Sequence, residues 1–254
     1  MLITGASSGI GVGFAHAFAR EGAQLILTAR RVDRLEALAA ELRDRFAVSV
    51  LVLPSDLSGP DGVQSLLEGL KEMDMQVDIL INNAGFGYQG AFEAAEPSLY
   101  EDMMYLNMMA LTTLTRALAP AMRQRGYGGV LNVASMAGVT PIPYFSVYAA
   151  TKAYVLSLTE ALWKEYLNTG VRMVTLCPGP VDTEFFEVSG YDPAKSAATR
   201  GIQSVREVVD TAMKALRKNQ PFVPTSLLLK VLAIFQRFIP RKLSLHILAS
   251  QMNP

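Results

Sequence analysis

The clearest chemical signal in the sequence is a tyrosine and a lysine four positions apart, Tyr148 and Lys152. The surrounding pattern predicts a helix near Val147–Thr169, and a spacing of four places both side chains on one face of it. A neighbouring ammonium group lowers the pKa of a phenol, ordinarily about 10, by roughly 1–3 units. With a second cation nearby, Tyr148 could act as a general acid/base near neutral pH. The alternative is an ordinary pair on a helix surface.

Two more polar residues could complete a catalytic group with this pair. Ser135 follows a predicted strand, thirteen residues before Tyr148, where its hydroxyl could hydrogen-bond a substrate carbonyl while Tyr148 protonates it. Asn107 interrupts the apolar stretch 103–109 of a predicted helix, although asparagine is unfavourable within helices and a buried amide needs hydrogen-bond partners. Alone, the two would be a strand-end serine and a core asparagine, so their significance depends on the whole set.

A glycine-rich loop, Thr4-Gly5-Ala6-Ser7-Ser8-Gly9-Ile10-Gly11, joins the first predicted strand to a helix. Small residues let the backbone turn tightly and approach a pyrophosphate, whose charge the helix N-terminus stabilises. Such a loop also occurs at ordinary strand-to-helix turns, and its spacing departs from the common dinucleotide fingerprint. Its position in the first βαβ unit favours nucleotide binding. The expected contacts are Gly5, Ser7, Ser8, Gly9, Ile10 and Gly11.

The residues after the second predicted strand indicate which dinucleotide would bind. A carboxylate that holds the ribose hydroxyls of NAD is expected there, but the sequence reads Thr28-Ala29-Arg30-Arg31. A guanidinium pairs with a 2′-phosphate, so Arg30 and Arg31 predict NADP(H). The alternatives are that the arginines are solvated residues opening the next helix, and that Asp33 reaches the ribose.

The elements that must position these residues alternate along the chain. Short runs rich in Val, Ile and Leu alternate with longer amphipathic segments, which is typical of βαβ units and a parallel sheet covered on both faces. Strands are predicted near 1–4, 24–29, 48–53, 77–82, 129–134, 171–177 and 222–223, and helices near 10–21, 32–46, 61–74, 98–125, 147–169 and 204–219. We therefore predict an α/β fold, a Rossmann-like doubly wound parallel sheet in one domain.

Together these motifs resemble the short-chain dehydrogenase/reductase family, in its form of about 250 residues. The shared features are the 4–11 loop, Asn82-Asn83-Ala84-Gly85, Asn107, Ser135, Tyr148-x-x-x-Lys152 and Pro178-Gly179, in order and at the usual spacing. The resemblance covers residues 1–225, an expected NADP(H)-binding catalytic domain, and leaves 226–254 as a helical extension of the same unit. The short first strand suggests that the true start lies a few residues upstream.

The resemblance also implies roles for individual residues. Asp56 and Leu57 would hold the adenine ring, although Asp56 could equally be a turn residue. Asn83, Ala84 and Gly85 would meet the cofactor at a strand end. Pro178, Gly179, Val181 and Thr183 would hold the nicotinamide carboxamide. Asn107 would hold a water that links Lys152 to solvent, and oxidised nicotinamide would supply the second cation near Tyr148.

The implied activity is NADP(H)-dependent interconversion of a ketone or aldehyde and an alcohol, with Tyr148 as general acid/base. Apolar residues near the expected pocket favour a hydrophobic substrate, such as a 3-oxoacyl, steroid-like or other apolar carbonyl compound. They are Phe86, Met136, Ile142, Tyr144 and Phe145, with Phe185, Phe186 and Tyr191 in a predicted lid at 184–201. The alternative is a catalytically idle NADP(H)-binding regulatory protein, which has no physical need for the complete group of four.

Composition narrows the other possibilities. The 254 residues are 50% hydrophobic and 18% charged, enough for a large core. With 23 basic and 23 acidic residues, the chain lacks the charge of a nucleic-acid-binding protein. Its one cysteine, Cys177, and two distant histidines predict no metal site. We predict a cytoplasmic homo-oligomer, dimer or tetramer, that acts on a small molecule.

The tail has a composition of its own. Residues 227–239 are strongly apolar, with Lys230, Arg237 and Arg241 at helical spacing, and the stretch is too short to span a bilayer. We expect one helix here that packs on protein or covers the pocket. The alternative is peripheral contact with a membrane.

Overall fold

The computed structural model describes residues 1–191, 201–236 and 238–252. Within them, seven parallel strands form one sheet in the order β3-β2-β1-β4-β5-β6-β7. Their bounds are β1 Leu2–Thr4, β2 Leu25–Thr28, β3 Val50–Val52, β4 Ile79–Asn82, β5 Gly128–Val133, β6 Val171–Cys177 and β7 Phe222–Pro224. The winding reverses between β1 and β4, so the carboxyl ends of these strands open the crevice where such sheets bind ligands.

Helices cover both faces of the sheet. They are α1 Gly9–Arg20, α2 Val32–Phe46, α3 Pro60–Glu72, α4 Pro97–Met104, α5 Leu111–Arg125, α6 Ser146–Glu165, α7 Phe185–Ser189, α8 Val205–Lys218, α9 Leu227–Gln236 and α10 Arg241–Met252. On one face, Phe14, Leu35 and Val208 belong to the core that α1, α2 and α8 form with the strands. On the other, Leu66 and Leu114 anchor α3 and α5. This arrangement confirms the predicted Rossmann-like doubly wound α/β fold.

Two of the predicted helices differ from expectation. The helix expected over 98–125 contains a π-helical turn, Tyr105–Ala110, between α4 and α5. The tail forms two helices, α9 and α10, rather than one. Pro240 immediately precedes α10, and a proline disfavours helical geometry at the residue before it while lacking the N–H that a continuing helix requires.

Candidate active site

A cavity of about 690 Å³ lies at the carboxyl ends of the strands. Most of the predicted site residues line it: Gly5, Ser7, Ser8, Gly9, Ile10, Arg30, Arg31, Asp56, Leu57, Asn83, Ala84, Gly85, Ser135, Tyr148, Lys152, Pro178, Gly179, Val181 and Thr183. Two predicted residues, Gly11 and Asn107, do not line it. The fold therefore brings together residues that are up to 178 positions apart along the chain, from Gly5 to Thr183.

The glycine loop is held close to the end of β4. Gly5 has a φ of +64°, in the left-handed region, and a Cβ there would lie 2.8 Å from the Ala84 Cα. Gly11 is buried, and a Cβ on it would lie 2.2 Å from the Gly5 carbonyl oxygen. The expectation that Gly11 contacts the cofactor cavity is therefore wrong. Its lack of a side chain instead lets the first turn of α1 pack closely against the glycine loop, which lines the cavity.

Asn83 ties β4 to the start of the loop. Its Nδ2 donates to the Thr4 and Gly5 carbonyl oxygens at 3.0 and 3.2 Å. The Thr4 hydroxyl accepts from the backbone N–H groups of Asn83 and Ala84, each at 3.0 Å. These contacts join the carboxyl ends of β1 and β4 at the reversal point. Thr4 was not among the predicted site residues, although it ends the first strand.

A second polar chain links β4, β5 and α6. The Asn82 Nδ2 donates to Asn132 Oδ1 at 2.8 Å, and the Asn132 Nδ2 donates to the Thr159 hydroxyl at 2.9 Å. All three residues are buried, so the bonds compensate for the loss of water. Sequence reasoning did not single out Asn132. An asparagine between Leu131 and Val133 in a buried strand is the signal that could have found it.

Tyr148 and Lys152 lie on α6 and are almost wholly buried, with exposures of 7% and 5%. The Lys152 Nζ lies 5.7 Å from the centroid of the Tyr148 ring and donates to the Val133 carbonyl oxygen at 2.9 Å. Ser135 caps the 3₁₀ turn Met136–Gly138, where its hydroxyl accepts from the Ala137 N–H at 3.1 Å. The end of β5 and one face of α6 thus present these three side chains to the same cavity.

Burial dominates the titration of this pair. It raises the pKa of Tyr148 to about 12, and interaction with the Ser135 side chain opposes that shift. Burial also lowers the pKa of Lys152 to about 8. Desolvation therefore sets the direction of both shifts. The low Tyr148 pKa expected from sequence still requires a further positive charge.

Asn107 lies in the π-helical turn, and three hydrogen bonds satisfy its side chain. Its Oδ1 accepts from the Phe86 N–H at 3.2 Å, while its Nδ2 donates to the Phe86 carbonyl and the Thr151 hydroxyl at 2.9 and 3.0 Å. A Cβ at Gly85 would lie 2.8 Å from Asn107 Oδ1 and 3.3 Å from Lys152 Nζ. The amide thus fixes the loop after β4 against α6, and its expected water relay stays a prediction.

The arginine end of the cavity contains an ionic bridge that the sequence did not reveal. The Arg31 Nη1 lies 2.8 Å from Glu184 Oε2, and the Arg31 Nε donates to the Ser7 hydroxyl at 3.2 Å. Arg34 pairs with the other Glu184 oxygen. Hydrogen bonds from Arg31 and Arg34 hold the pKa of the Glu184 carboxyl below its usual range. Because Glu184 is 153 positions from Arg31, no local pattern could have indicated their contact.

The other end of the cavity is apolar. The predicted pocket residues Phe86, Met136, Ile142, Phe145, Phe185, Phe186 and Tyr191 line it, together with Leu229, Leu232, Gln236, Leu248 and Met252 from α9 and α10. The expectation for Tyr144 is wrong. Tyr144 does not line the cavity; it packs behind the lining residues, against the cluster that contains Phe145 and Tyr148, and its φ of +60° places it in a turn. Of the predicted lid at 184–201, residues 192–200 lie outside the described residues.

The tail therefore covers the pocket, which is one of its expected placements. A Cβ at Gly179 would lie 2.9 Å from a Leu229 methyl carbon, so α9 packs directly on the turn after β6. Met252, near the end of α10, is buried in the cluster that contains Tyr148. The Gln89 Nε2 donates to the Met252 carbonyl oxygen at 2.8 Å and so ties α10 to the loop after β4.

Other kinds of site find no support among the residues that the structure describes. No group of three His, Cys, Asp or Glu side chains could hold a metal ion there. None of the described helices has the length and apolarity needed to cross a bilayer. Cys177 is fully buried, and burial raises the pKa of its thiol, so it is a core residue as expected.

Known proteins resemble this chain in sequence and fold. Residues 1–193 match the family model described as short chain dehydrogenase. A sulfoacetaldehyde reductase from Chromohalobacter salexigens is 40% identical over 202 residues, 78% of this chain and 79% of that protein. A short-chain dehydrogenase from Sphingobium yanoikuyae, solved in complex with NADPH, superposes with a TM-score of 0.84 and 37% identity over 93% of this chain and 91% of its own.

A third match is the bulky-bulky ketone specific alcohol dehydrogenase from Comamonas testosteroni. Its TM-score is 0.78 at 30% identity, and the match covers 94% of each chain. The family model covers three quarters of the sequence, including the glycine loop, Ser135, Tyr148 and Lys152. These agreements in sequence and fold confirm that the chain belongs to the short-chain dehydrogenase family.

Proposed function

We propose that this protein is an NADP(H)-dependent oxidoreductase that interconverts an apolar ketone or aldehyde and the corresponding alcohol. The observation that carries the proposal is that Ser135, Tyr148 and Lys152 share one cavity with the glycine loop and with Arg30. Family membership supports chemistry at an alcohol or carbonyl carbon. The relative from Sphingobium yanoikuyae, which was solved with NADPH, supports the cofactor.

The residues present fit a dinucleotide. The left-handed φ of Gly5 and its close approach to Ala84 let the loop turn tightly into the start of α1, where a pyrophosphate would gain the helix-terminal N–H groups. Arg30 and Arg31 would hold the 2′-phosphate. Asp56 and Leu57 would hold the adenine, and Pro178, Gly179, Val181 and Thr183 the nicotinamide carboxamide. When bound, the cofactor supplies or accepts a hydride.

In the direction of reduction, Tyr148 donates a proton to the carbonyl oxygen. Its pKa of about 12 keeps the phenol protonated at neutral pH, which is the form an acid requires. Lys152, with a pKa of about 8, is largely charged at pH 7. Its ammonium group stabilises the phenolate left after proton transfer. Ser135 holds the carbonyl oxygen through its hydroxyl. Asn107 positions the loop after β4 against α6.

The lining of the cavity favours a hydrophobic substrate. Phe86, Phe145 and Phe185 line it together with Leu229 and Met252 from the tail. An apolar group enclosed there gains roughly 25 cal/mol for each Å² removed from water. Two of the similar proteins, a sulfoacetaldehyde reductase and a bulky-bulky ketone specific alcohol dehydrogenase, differ in the substrates that they are named for, so the cavity is the better guide to the substrate class. We therefore propose a 3-oxoacyl, steroid-like or other apolar carbonyl compound as the substrate.

The test is oxidation of NADPH by a panel of aliphatic ketones, 3-oxoacyl thioesters, steroids and quinones, with Tyr148→Phe beside the parent. Loss of a general acid should lower kcat by about 10²–10⁴-fold and leave NADPH affinity unchanged. Tyr154→Phe is the matched control, because Tyr154 lies on the same helix, is 38% exposed and contacts Thr112.

Turnover that survives in Tyr148→Phe would refute the assignment. Absence of turnover with every compound would favour the idle NADP(H)-binding regulator, which no feature of the described site supports. We further propose that the protein is a cytoplasmic homo-oligomer, a dimer or tetramer.

A further inference from the structure

The tail helices α9 and α10 present two different faces. The inner face lines the cavity through Leu229, Leu248 and Met252. The outer face carries six large apolar side chains that are more than half exposed: Leu227, Leu228, Ile234, Phe235, Phe238 and Leu243. We call these six residues the C-terminal apolar surface. In the rest of the described chain only Phe92 and Val188 are large, apolar and more than half exposed, and a cluster of this kind is typical of an interaction surface.

The charge of the same segment is entirely of one sign. Residues 226–254 contain Lys230, Arg237, Arg241 and Lys242 and no acidic side chain, although the whole chain has 23 bases and 23 acids. Lys230, Arg241 and Lys242 are exposed. Among the residues that the structure describes, none of these three forms a salt bridge with a neighbouring acid.

We propose that the C-terminal apolar surface binds an anionic lipid surface, with α9 and α10 lying in the membrane interface. The two helices have 10 and 12 residues, about 15 and 18 Å at 1.5 Å per residue, and a bilayer core is about 30 Å thick. They are too short to span it but suit shallow burial parallel to its plane. Apolar side chains flanked by cations are the composition of interfacial helices, since the apolar groups enter the acyl boundary and the cations meet anionic headgroups.

A second copy of this chain is the competing occupant, and charge disfavours it. In a twofold interface the same patch faces itself, so the cations of one tail would approach the cations of the other with no acid from this segment between them. An anionic lipid surface provides the complementary charge. Lipid is therefore the occupant that both the apolar and the ionic features favour.

The arrangement has a consequence for the substrate, which rests on the proposed function. The helices that would lie on lipid also form one wall of the apolar cavity. An apolar carbonyl compound dissolved in the membrane would then reach the site without crossing water.

Co-sedimentation of the full chain with vesicles tests the surface without any need for turnover. The vesicles are phosphatidylcholine alone, and phosphatidylcholine mixed with phosphatidylglycerol. Binding to the mixed vesicles should fall by on the order of 100-fold when Lys230, Arg241 and Lys242 are all changed to Gln, since each cation contributes about fivefold. The matched control replaces Lys71, Lys164 and Lys214, which are also exposed, and should bind as the parent does.

A second pair of variants tests the apolar part. Phe235→Ser with Phe238→Ser should weaken binding by about tenfold or more, because both rings are exposed and neither lines the cavity. Phe92→Ser, which removes a ring of 64% exposure elsewhere, should leave binding unchanged. NADPH oxidation with a water-soluble ketone, measured on the same proteins, reports separately on the proposed function.

Failure to bind either kind of vesicle would overturn the proposal, as would equal binding to both. Sizing of the same proteins supplies the other decisive result. If the parent is an oligomer that Phe235→Ser with Phe238→Ser dissociates, and the parent does not sediment with vesicles, the surface joins copies of this chain and the proposal is wrong.

Discussion

Replacing Gly11 with alanine should damage the dinucleotide site without placing any atom in it. Gly11 lies in the first turn of α1 and does not line the cavity. An added Cβ would lie 2.2 Å from the Gly5 carbonyl oxygen and 2.8 Å from Asn83 Nδ2. Non-bonded heavy atoms reach their energy minimum at about 3.5–4.0 Å, so α1 and the loop would have to separate by about 1 Å. The cradle for the pyrophosphate would move with the loop.

The size of the effect follows from what surrounds the new methyl group. Overpacking costs about 1–3 kcal/mol, and we expect the upper end because the nearest contact is backbone rather than a flexible side chain. In a chain of this size, 1 kcal/mol changes Tm by about 2–4 °C. Gly11→Ala should therefore lower Tm by about 6–12 °C and weaken NADPH binding.

Gly69→Ala is the matched control, because it adds the same methyl group with the opposite expected result. Gly69 lies inside α3, and a Cβ there would have no atom within 4 Å. Alanine is favoured over glycine in a helix by about 0.5–1 kcal/mol, so Tm should rise by about 1–4 °C. Thermal melts and NADPH titrations of the three proteins make the comparison. A Gly11→Ala protein that melts within about 2 °C of the parent and binds NADPH equally well would refute the packing role of Gly11.

Three further predictions concern the cofactor, the tail and pH. Arg30→Asp should weaken NADPH about tenfold or more while affecting NADH little, because a carboxylate would face the 2′-phosphate; an unchanged ratio in binding titrations would assign the selectivity to Arg31. Gln89→Leu should raise KM for an apolar substrate about fivefold with NADPH affinity unchanged, since it removes one hydrogen bond to Met252; an unaltered KM would show that α10 holds its place without that bond. For carbonyl reduction, kcat/KM should fall above about pH 8 as Lys152 loses its proton, while Tyr148, with a pKa of about 12, stays protonated; a profile flat to pH 10 would contradict this.

Much of the fold could be predicted because its determinants are local. Strands buried on both faces need unbroken apolar runs, and these runs located β1 to β7. Because parallel strands end at a common edge, residues that follow strands, such as Asn83 and Ser135, could be assigned to one crevice. The expected helix at 32–46 and strand at 171–177 coincide with α2 and β6.

The features that could not be predicted depend on contacts between distant segments, or on which side of a helix faces the pocket. The pairing of Glu184 with Arg31 and Arg34 joins elements that no periodicity relates. The tail is apolar on nearly every side of α9, so the sequence does not say which side faces the pocket. The burial that controls the pKa of Tyr148 is likewise a property of the assembled core, since the α6 pattern alone gave only its spacing from Lys152.

Arg31 connects the cofactor end of the cavity to its apolar end. Its guanidinium lies where a 2′-phosphate is expected, yet it is paired with Glu184, the residue immediately before α7, whose Phe185 lines the apolar end. Two anions compete for the same N–H donors, so an incoming phosphate and the Glu184 carboxylate share one set of hydrogen bonds. Thermodynamic linkage makes that sharing reciprocal: a phosphate that shifts α7 changes the affinity for substrate by the same factor by which substrate changes the affinity for cofactor. The order in which cofactor and substrate bind then leaves their total binding free energy unchanged. It determines only whether the complex with cofactor alone or the complex with substrate alone accumulates.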